Sequence, residues 1–320
     1  MQAAFLDFDT LGPDDITIDG LKTELPGISL YSGTTPDKVI ERIKDAEIVI
    51  VNKVVLTSEQ LLQAPKLKLI VVAATGVDNI DLSAARIRGI HVCNIRNYCS
   101  ASVVQHVFAL ILELSQRLGS WRGFIDRGAW QQSKQFCMLD FPSHELQGRT
   151  LGIVGAGTLG RAVANVGAAF GMKVVAAELP GRKYQEGLIP RLEWNTFLKQ
   201  CDVISLHCPL TDDTRNLIDA EALELIRYDA LLINTARGGL VDSAALAASL
   251  KNGELGGAGI DVLPEEPPVS GNPLLDLQQP NLLITPHIAW AAVESRQRAL
   301  DQIVSIIRAY KLGQPLNALT

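Results

Sequence analysis

A glycine-rich turn between two short apolar runs constrains this chain more than any other feature. Residues 150–154 (Thr-Leu-Gly-Ile-Val) are apolar and β-branched, as a buried parallel strand requires. They lead into Gly155-Ala-Gly157-Thr-Leu-Gly160, and a helical segment then runs to Phe170. Residues 171–177 form a second apolar run, which ends at Glu178. The sequence therefore predicts one β-α-β unit with a carboxylate at its far end.

The spacing of the three glycines fits a bound dinucleotide. Gly155 permits the tight turn out of the strand, Gly157 lets a pyrophosphate approach the backbone, and Gly160 lets the helix pack closely on the sheet. The helix N-terminus adds unpaired N–H groups and a positive dipole end. An ordinary glycine turn is the alternative for an isolated G-x-G-x-x-G. Here strand, helix, second strand and acid all follow in register, which favours the dinucleotide.

Glu178 predicts which dinucleotide is bound. Its carboxylate can accept hydrogen bonds from the ribose hydroxyls and would repel a 2′-phosphate, which favours NAD(H) over NADP(H). Arg182 and Lys183 follow closely and could soften this discrimination. Use of NADP(H) therefore stays open as the less favoured possibility.

Composition narrows the possible partners. A net charge of -6 over 320 residues, with both signs interspersed, argues against nucleic acid or an acidic membrane surface. No apolar run reaches the length of a membrane span, and the first residues lack the basic start of a secretory signal. The five cysteines show no C-x-x-C spacing, so they resemble reduced thiols rather than a disulfide framework or zinc site. We expect a cytoplasmic protein without a metal.

Strands and helices alternate on both sides of the glycine turn. This pattern predicts an α/β fold of two parallel-sheet domains that face each other across a cleft. In the first half, Lys53 and Gly76-Val77 follow predicted strands, where open α/β sheets bind ligands. Lys53 supplies a positive charge, and Gly76 would let backbone N–H groups point at an anion. A solvated lysine and a plain glycine turn are an equally good interpretation.

Residues 102–118 and 121–141 suggest a subunit contact. The first stretch is apolar on too many faces for a simple surface helix, which indicates a core helix or a subunit interface. The second stretch is long, aromatic and weakly periodic, as expected for an arm that packs against a second subunit.

Three predicted strand ends in the second half carry Arg237, Glu266 and His287. Beside a nicotinamide, a hydride acceptor needs a fixed cation for its carboxylate and a proton donor for its carbonyl oxygen. Arg237 can supply the first and His287 the second, while Glu266 would favour the imidazolium form. Asp261, also at a strand end, could bind the nicotinamide carboxamide. Taken one at a time, Arg237 could form a surface ion pair, Glu266 could be a solvated loop acid and His287 could be a structural cap. Together they favour a catalytic site.

The remaining histidines carry weaker signals. His207 lies at a strand end and could approach the cofactor, but it ranks below His287 as proton donor. His106 is interpreted as a helix-face histidine, and His91 and His144 as surface or core residues. No metal-ligand spacing is apparent.

Several motifs together resemble the D-isomer-specific 2-hydroxyacid dehydrogenases, over nearly the whole chain. They are Leu151-Gly-Ile-Val-Gly-Ala-Gly-Thr-Leu-Gly160, His207-Cys-Pro-Leu210, Asn234-Thr-Ala-Arg-Gly-Gly239, Asp261-Val-Leu-Pro-Glu-Glu-Pro267 and Pro286-His-Ile288. The resemblance implies that Arg237 binds substrate, Glu266 pairs with the catalytic histidine, and His287 donates the proton. It also implies a discontinuous flavodoxin-like substrate domain (1–98 and 289–320), an NAD-binding Rossmann domain (99–288), domain closure and a homodimer through 100–141. The cofactor-binding residues expected on this basis and from the motifs are Gly155, Gly157, Thr158, Leu159, Gly160, Glu178, His207, Pro209, Thr235, Ala236, Arg237, Asp261, His287 and Trp290.

Within that family, residues 94–106 and 130–137 look most like glycerate dehydrogenases, also called hydroxypyruvate reductases. The substrate expected is hydroxypyruvate or D-glycerate, bound by Lys53, Gly76, Val77 and Arg237, with glyoxylate as a secondary substrate. One alternative is a related reductase for a bulkier or phosphorylated 2-keto acid. Another is a dinucleotide-sensing protein like the family's corepressors, which would bind peptides and show negligible turnover.

Overall fold

The computed structural model describes residues 1–179, 181, 187 and 189–320. The chain divides into two units, each with its own parallel sheet. The first unit contains Met1–Cys99 and Trp290–Thr320, and the second contains Ser100–Ala289. The predicted fold class, two parallel-sheet α/β domains, is confirmed.

The first unit has a five-stranded sheet in the order β2-β1-β3-β4-β5, with every strand pair parallel. Its strands are β1 (Ala3–Phe5), β2 (Ser29–Leu30), β3 (Ile48–Val51), β4 (Leu69–Val72) and β5 (His91–Asn94). Its α-helices are α1 (Asp19–Glu24), α2 (Val39–Ile43), α3 (Ser58–Leu62), α4 (Leu82–Ile87) and, from the end of the chain, α11 (Val293–Lys311).

The central strands of this sheet are buried on both faces, which explains their unbroken apolar sequences. One face packs on α1 and α11, where Leu300, Ile303 and Ile307 are fully enclosed. The other face packs on α2, α3 and α4. The first unit therefore depends on both ends of the chain for its core.

The second unit has a seven-stranded sheet in the order β12-β11-β10-β9-β6-β7-β8, again entirely parallel in its pairings. Its strands are β6 (Thr150–Val154), β7 (Lys173–Glu178), β8 (Arg191–Glu193), β9 (Val203–Leu206), β10 (Leu231–Asn234), β11 (Gly257–Ile260) and β12 (Leu282–Ile284). Its α-helices are α5 (Ser100–Gln116), α6 (Leu118–Asp126), α7 (Thr158–Ala169), α8 (Trp194–Gln200), α9 (Ala220–Leu225) and α10 (Ser243–Asn252).

Strand order reverses next to β6, because β7 pairs on one side of it and β9 on the other. At such a switch point the loops at the carboxyl ends of the strands diverge and leave a crevice for a ligand. The glycine turn of residues 155–160 follows β6 directly. The fold thus places the predicted dinucleotide motif where open α/β sheets bind nucleotides.

Several short elements differ from the sequence-based expectations. Residues 121–126 of the predicted arm are helical, because they belong to α6 (Leu118–Asp126). The backbone of Arg117 in the left-handed region (φ 54°) separates α6 from α5. The short elements α1, β2 and β8 were not predicted. β2 and β8 have half-exposed or exposed residues and lack a buried run that would identify them from sequence.

No helix in the described part of the chain combines the length and apolar character needed to cross a membrane.

Candidate active site

The three glycines of the turn after β6 have different surroundings. A Cβ on Gly155 (φ 99°) would lie 2.6 Å from the backbone nitrogen of Cys208, and one on Gly160 would lie 2.1 Å from the carbonyl oxygen of Gly155. A Cβ on Gly157 would meet no heavy atom within 4 Å. Gly155 and Gly160 are therefore required by the protein's own packing, whereas Gly157 faces open space. That is the position at which a pyrophosphate needs room.

The other residues of the dinucleotide motif lie around this turn. Helix α7 begins at Thr158 with Gly157 as its N-cap, and Thr158 is exposed while Leu159 is half-buried. Glu178 ends β7 and is exposed, without an ion pair to any basic side chain among the described residues. Its carboxylate is available to a ribose. Arg182 and Lys183 lie outside the described residues.

Two buried polar atoms near the ends of β9 and β10 have no hydrogen-bond partner in the described structure: Nδ1 of His207 and Oγ1 of Thr235. The other ring nitrogen of His207, Nε2, lies 2.9 Å from Ser205 Oγ. Burial lowers the pKa of His207 to about 4, so its imidazole is neutral at ordinary pH. Because buried polar atoms are rarely left unpaired, these two and the space beside Gly157 fit a bound dinucleotide.

The loop after β10 presents Arg237. The buried side chain of Asn234 holds this loop, because its carboxamide donates to the carbonyl of Arg237 (2.9 Å) and accepts from the N–H of Ala236 (3.0 Å). The Arg237 side chain is exposed, and no carboxylate of the described residues lies within ion-pair distance of it. It donates to the carbonyl of Ala236. Among the described residues, its guanidinium is thus a cation without a counter-ion.

Glu266 and His287 form the closest polar pair of the candidate site. Nδ1 of His287 lies 2.6 Å from Oε2 of Glu266, and the other carboxylate oxygen accepts from the N–H of Leu263 (2.9 Å). The carboxylate accepts from Nδ1–H, which leaves Nε2 of His287 directed at no protein group in the described structure. A Cβ on Gly238 would lie 2.0 Å from the carbonyl carbon of Leu263. The loop of Arg237 and the loop of Glu266 are therefore packed together.

His287 has a left-handed backbone (φ 55°), which is uncommon for a residue with a side chain. Its N–H donates to the carbonyl of Asp261 (2.8 Å). The carboxylate of Asp261 accepts from the N–H groups of Ile288 and Ala289, both at 2.9 Å. Asp261 is fully enclosed and bonded to its own chain, so the structure gives it a role in holding the His287 backbone. The expected contact of Asp261 with a nicotinamide carboxamide stays a prediction.

The two remaining cofactor candidates have separate surroundings. Pro209 is exposed in the loop after β9. Trp290 belongs to the first unit, where its ring packs edge-on against Tyr98 with the centroids 6.3 Å apart. A contact of either residue with the cofactor stays a prediction.

In the first unit, Lys53, Gly76 and Val77 lie in neighbouring loops at the carboxyl ends of β3 and β4. The buried carboxylate of Asp7 fixes the Lys53 loop by accepting from the backbone N–H of Asn52 (2.8 Å) and Lys53 (2.6 Å). Within the described structure, the N–H groups of Gly76 and Val77 donate to no protein acceptor. Two free amides and a lysine at one sheet edge are suited to bind a carboxylate.

Arg96 is not among the predicted site residues. This exposed residue follows β5, and its Nε donates to Asn94 Oδ1 (3.2 Å), while Asn94 donates to the carbonyl of Thr75 (2.7 Å). Arg96 is therefore tied to the loop that contains Gly76. No carboxylate of the described residues pairs with it. Its position just after a predicted strand end was the signal that could have identified it.

Among the described residues, no group of three or more His, Cys, Asp or Glu side chains is arranged to hold a metal ion. Burial raises the pKa of Cys93 to about 11 and that of Cys201 to about 12, so both stay protonated and unreactive.

Comparison with known proteins agrees with this geometry. Residues 108–289 match the family model described as the NAD binding domain of D-isomer specific 2-hydroxyacid dehydrogenase. The match contains the glycine turn, the Arg237 loop and the Glu266–His287 pair. The cofactor predicted from Gly155–Gly160 and Glu178, NAD(H), is confirmed at the level of this domain.

Three relatives extend the match beyond this domain. The chain is 47% identical to the glycerate dehydrogenase of Methylorubrum extorquens over 90% of each protein. It is 35% identical to the hydroxypyruvate reductase of Blautia hydrogenotrophica over 100% of this chain and 99% of that one. The crystal structure of D-lactate dehydrogenase from Aquifex aeolicus, complexed with NAD and lactic acid, superposes with a TM-score of 0.81 at 32% identity, covering 98% of this chain and 96% of that one. The chain belongs to the D-isomer specific 2-hydroxyacid dehydrogenase family.

Proposed function

We propose that this protein interconverts hydroxypyruvate and D-glycerate with NAD(H) as cofactor. The observation that carries the proposal is the contact of 2.6 Å between His287 Nδ1 and Glu266 Oε2 beside the loop of Arg237, a residue that pairs with no carboxylate in the described part of the chain. A proton donor and a cation for a carboxylate are the two groups that reduction of a 2-keto acid needs from a protein. The two relatives named glycerate dehydrogenase and hydroxypyruvate reductase support this substrate.

His287, Glu266 and Arg237 are proposed as the catalytic residues. The imidazolium of His287 protonates the carbonyl oxygen from Nε2 as the keto acid is reduced, and takes the proton back in the reverse direction. Glu266 accepts from Nδ1–H throughout, which fixes the ring and stabilises its charged form. Arg237 binds the substrate carboxylate through its planar fork. The nicotinamide, when bound, supplies or accepts the hydride.

The first unit is proposed as the substrate domain and the second as the NAD-binding domain. Lys53 and the free N–H groups of Gly76 and Val77 are proposed to bind the carboxylate of the acid. Arg96 is a candidate for the substituent at C3, which is a hydroxyl group in hydroxypyruvate. It hydrogen bonds to the same loop network and has no acidic partner in the described residues.

In the second unit, the proposed NAD contacts are those predicted from the sequence. The pyrophosphate would use the space at Gly157 and the start of α7, and the ribose would use Glu178. His207 and Thr235 contribute one unpaired buried polar atom each. Glu178 favours NADH, because a 2′-phosphate beside its carboxylate would be repelled.

We also propose that the protein is a homodimer formed through residues 100–141. Large apolar side chains in this segment are exposed on the single chain, including Leu118 (59%), Phe136 (90%) and Leu139 (84%). An exposed apolar surface of this kind is typical of a protein interface. A cytoplasmic location is proposed from the five cysteines, which are all free thiols. Light scattering on the purified protein tests the dimer.

The function is tested by measuring kcat/KM for hydroxypyruvate, glyoxylate, pyruvate and 3-phosphohydroxypyruvate, each with NADH and with NADPH. We expect hydroxypyruvate with NADH to lead clearly. If a bulkier or phosphorylated acid leads, the mechanism stands and the substrate is wrong. If NADH binds and no acid is reduced, the dinucleotide-sensing alternative replaces the enzyme.

A further inference from the structure

Three side chains of the second unit form a hydrogen-bonded chain. It ends at Asp261, whose carbonyl accepts from the N–H of His287. Nε2 of His106, on helix α5, lies 2.9 Å from Oγ1 of Thr285. Oγ1 of Thr285 in turn lies 2.5 Å from Oδ1 of Asp261. His106 Nε2 is also 3.5 Å from the same carboxylate oxygen, and the Asp261 side chain has no exposed area. Neither His106 nor Thr285 was expected at a functional site.

The donors and acceptors of this chain have one consistent direction. An ionised carboxylate only accepts hydrogen bonds, so the hydroxyl hydrogen of Thr285 points to Asp261. Thr285 Oγ1 must then accept from His106, which places the ring proton of His106 on Nε2. The direction runs from His106 through Thr285 to Asp261. Thr285 is therefore held in one rotamer by groups on both sides of its hydroxyl.

Asp261 in turn holds the backbone at His287 through hydrogen bonds. Its carboxylate accepts from the N–H groups of the next two residues, Ile288 and Ala289, and its carbonyl accepts from the N–H of His287. The left-handed conformation of His287 is unfavourable unless its surroundings fix it. Here Asp261 accepts from the N–H of that residue and from the N–H groups of the two residues that follow it.

We propose that His106 and Thr285 are positioning residues for His287. They fix the carboxylate of Asp261, the carboxylate fixes the backbone around His287, and that backbone aims the imidazole between Glu266 and the reacting oxygen. The inference rests on the proposed role of His287 as proton donor. It assigns a function to a helix-face histidine 181 positions away along the chain.

The test uses Thr285→Val, which keeps the shape of the side chain and removes its hydroxyl, with Thr285→Ser as the matched control. The best substrate found for the wild-type protein is used throughout. In the valine variant we expect kcat to fall at least tenfold, while KM and the dissociation constant of NADH stay within about twofold. The solvent deuterium isotope effect on kcat should rise, because proton transfer becomes slower. The serine variant should restore wild-type values.

A second measurement does not depend on turnover. Diethylpyrocarbonate modifies free imidazole nitrogens, and peptide mass spectrometry gives its rate at His287. We expect this rate to change severalfold in Thr285→Val and to be normal in Thr285→Ser. His106→Phe should reproduce the valine phenotype, and the double variant should be no worse than the more impaired single variant, because both substitutions break one chain.

The inference is overturned if kcat and the modification rate of Thr285→Val match those of the wild type. It is also overturned if the whole loss appears as weaker NADH binding, since the chain would then serve the nucleotide. If Thr285→Val does not fold, His106→Phe decides by the same two measurements. Full activity of His287→Asn would contradict the proposed function instead, so the two failures can be told apart.

Discussion

The carboxylate of Glu266 hydrogen bonds to both His287 and its own loop. Oε2 lies 2.6 Å from Nδ1 of His287, while Oε1 accepts from the backbone N–H of Leu263 at 2.9 Å. The bond from Leu263 holds the carboxylate in place independently of its contact with the imidazole. Glu266→Gln should keep the packing but remove the charge that stabilises the imidazolium. We expect kcat to fall about 10–100-fold, the value of a lost charge-assisted hydrogen bond of about 1.5–3 kcal/mol.

His287→Asn removes the proposed proton donor and should give the largest loss of kcat against which Glu266→Gln is compared. We expect that loss to be about 10²–10⁴-fold, the usual contribution of general acid catalysis. Steady-state kinetics with NADH and hydroxypyruvate measure both variants. A Glu266→Gln enzyme as active as wild type would show that the carboxylate has no part in the proton transfer.

Arg237→Lys should weaken recognition of the substrate carboxylate. Lysine keeps the charge but lacks the planar fork that binds a carboxylate with two parallel bonds. We expect kcat/KM for the keto acid to fall about 10–100-fold. The same change at Arg215, an exposed residue of the second unit, is the matched control and should leave kinetics unaltered. Equal behaviour of the two variants would remove Arg237 from the substrate site.

Alanine substitutions at Gly157 and Gly160 should have different effects, the first on NADH binding and the second on stability. Gly157→Ala places a methyl group in space that no protein atom occupies, so we expect a normal Tm and an NADH dissociation constant raised about tenfold, or about 1.4 kcal/mol. Gly160→Ala drives a Cβ into the carbonyl of Gly155, which should cost about 1–3 kcal/mol of stability. Thermal unfolding and NADH fluorescence titration measure both effects. Weakened NADH binding that appeared only together with a lowered Tm would argue against the pyrophosphate position.

His207 should make stability depend on pH. Its pKa is lowered by burial from 6.5 to about 4, so between these values the unfolded chain binds a proton that the folded protein does not. The free energy of unfolding is therefore highest above pH 6.5 with respect to this group, and it decreases as the pH falls toward 4. Because His207 as a whole is only half-buried, we expect a loss of about 1–2 kcal/mol. Urea unfolding of the wild type and His207→Gln at about pH 7.5 and about pH 5 tests this. A constant difference between the two proteins would contradict it.

Arg96→Gln should affect hydroxypyruvate more than pyruvate, because only hydroxypyruvate has a hydroxyl group at C3. We expect the ratio of kcat/KM for the two acids to fall about tenfold, the value of one hydrogen bond to a charged group. An equal loss for both acids would place Arg96 at the shared carboxylate, and no loss would place it outside the site.

The sequence predicts those parts of the molecule in which local pattern and tertiary structure agree. The central strands β3 and β4 of the first sheet have unbroken apolar runs, and Gly155 and Gly160 are dictated by backbone contacts that leave few other choices. Arg237, Glu266 and His287 were identifiable because each follows a strand, and parallel strands bring their carboxyl ends to one edge. Short, half-exposed elements such as β2 carry no comparable signal.

Contacts between residues far apart in sequence could not be predicted. His106 lies in the largely apolar helix α5 and looks like a packing residue, and its bond to Thr285 depends on how α5 crosses the sheet. Asp7 offers a similar case, since its carboxylate holds a loop 45 residues later. Such bonds follow from the packing of whole elements rather than from any local spacing.

The discontinuity of the first unit has a consequence for how the protein is made. Residues 1–99 contribute all five strands of their sheet, but one face is covered by Leu300, Ile303 and Ile307 of α11. At about 5–20 residues per second, a ribosome needs roughly 10–40 s to synthesise the intervening second unit. During that time the first sheet emerges with one apolar face covered by α1 alone, whereas the second unit can fold as a continuous segment. Nascent chains halted before α11 should therefore bind chaperones through their N-terminal third.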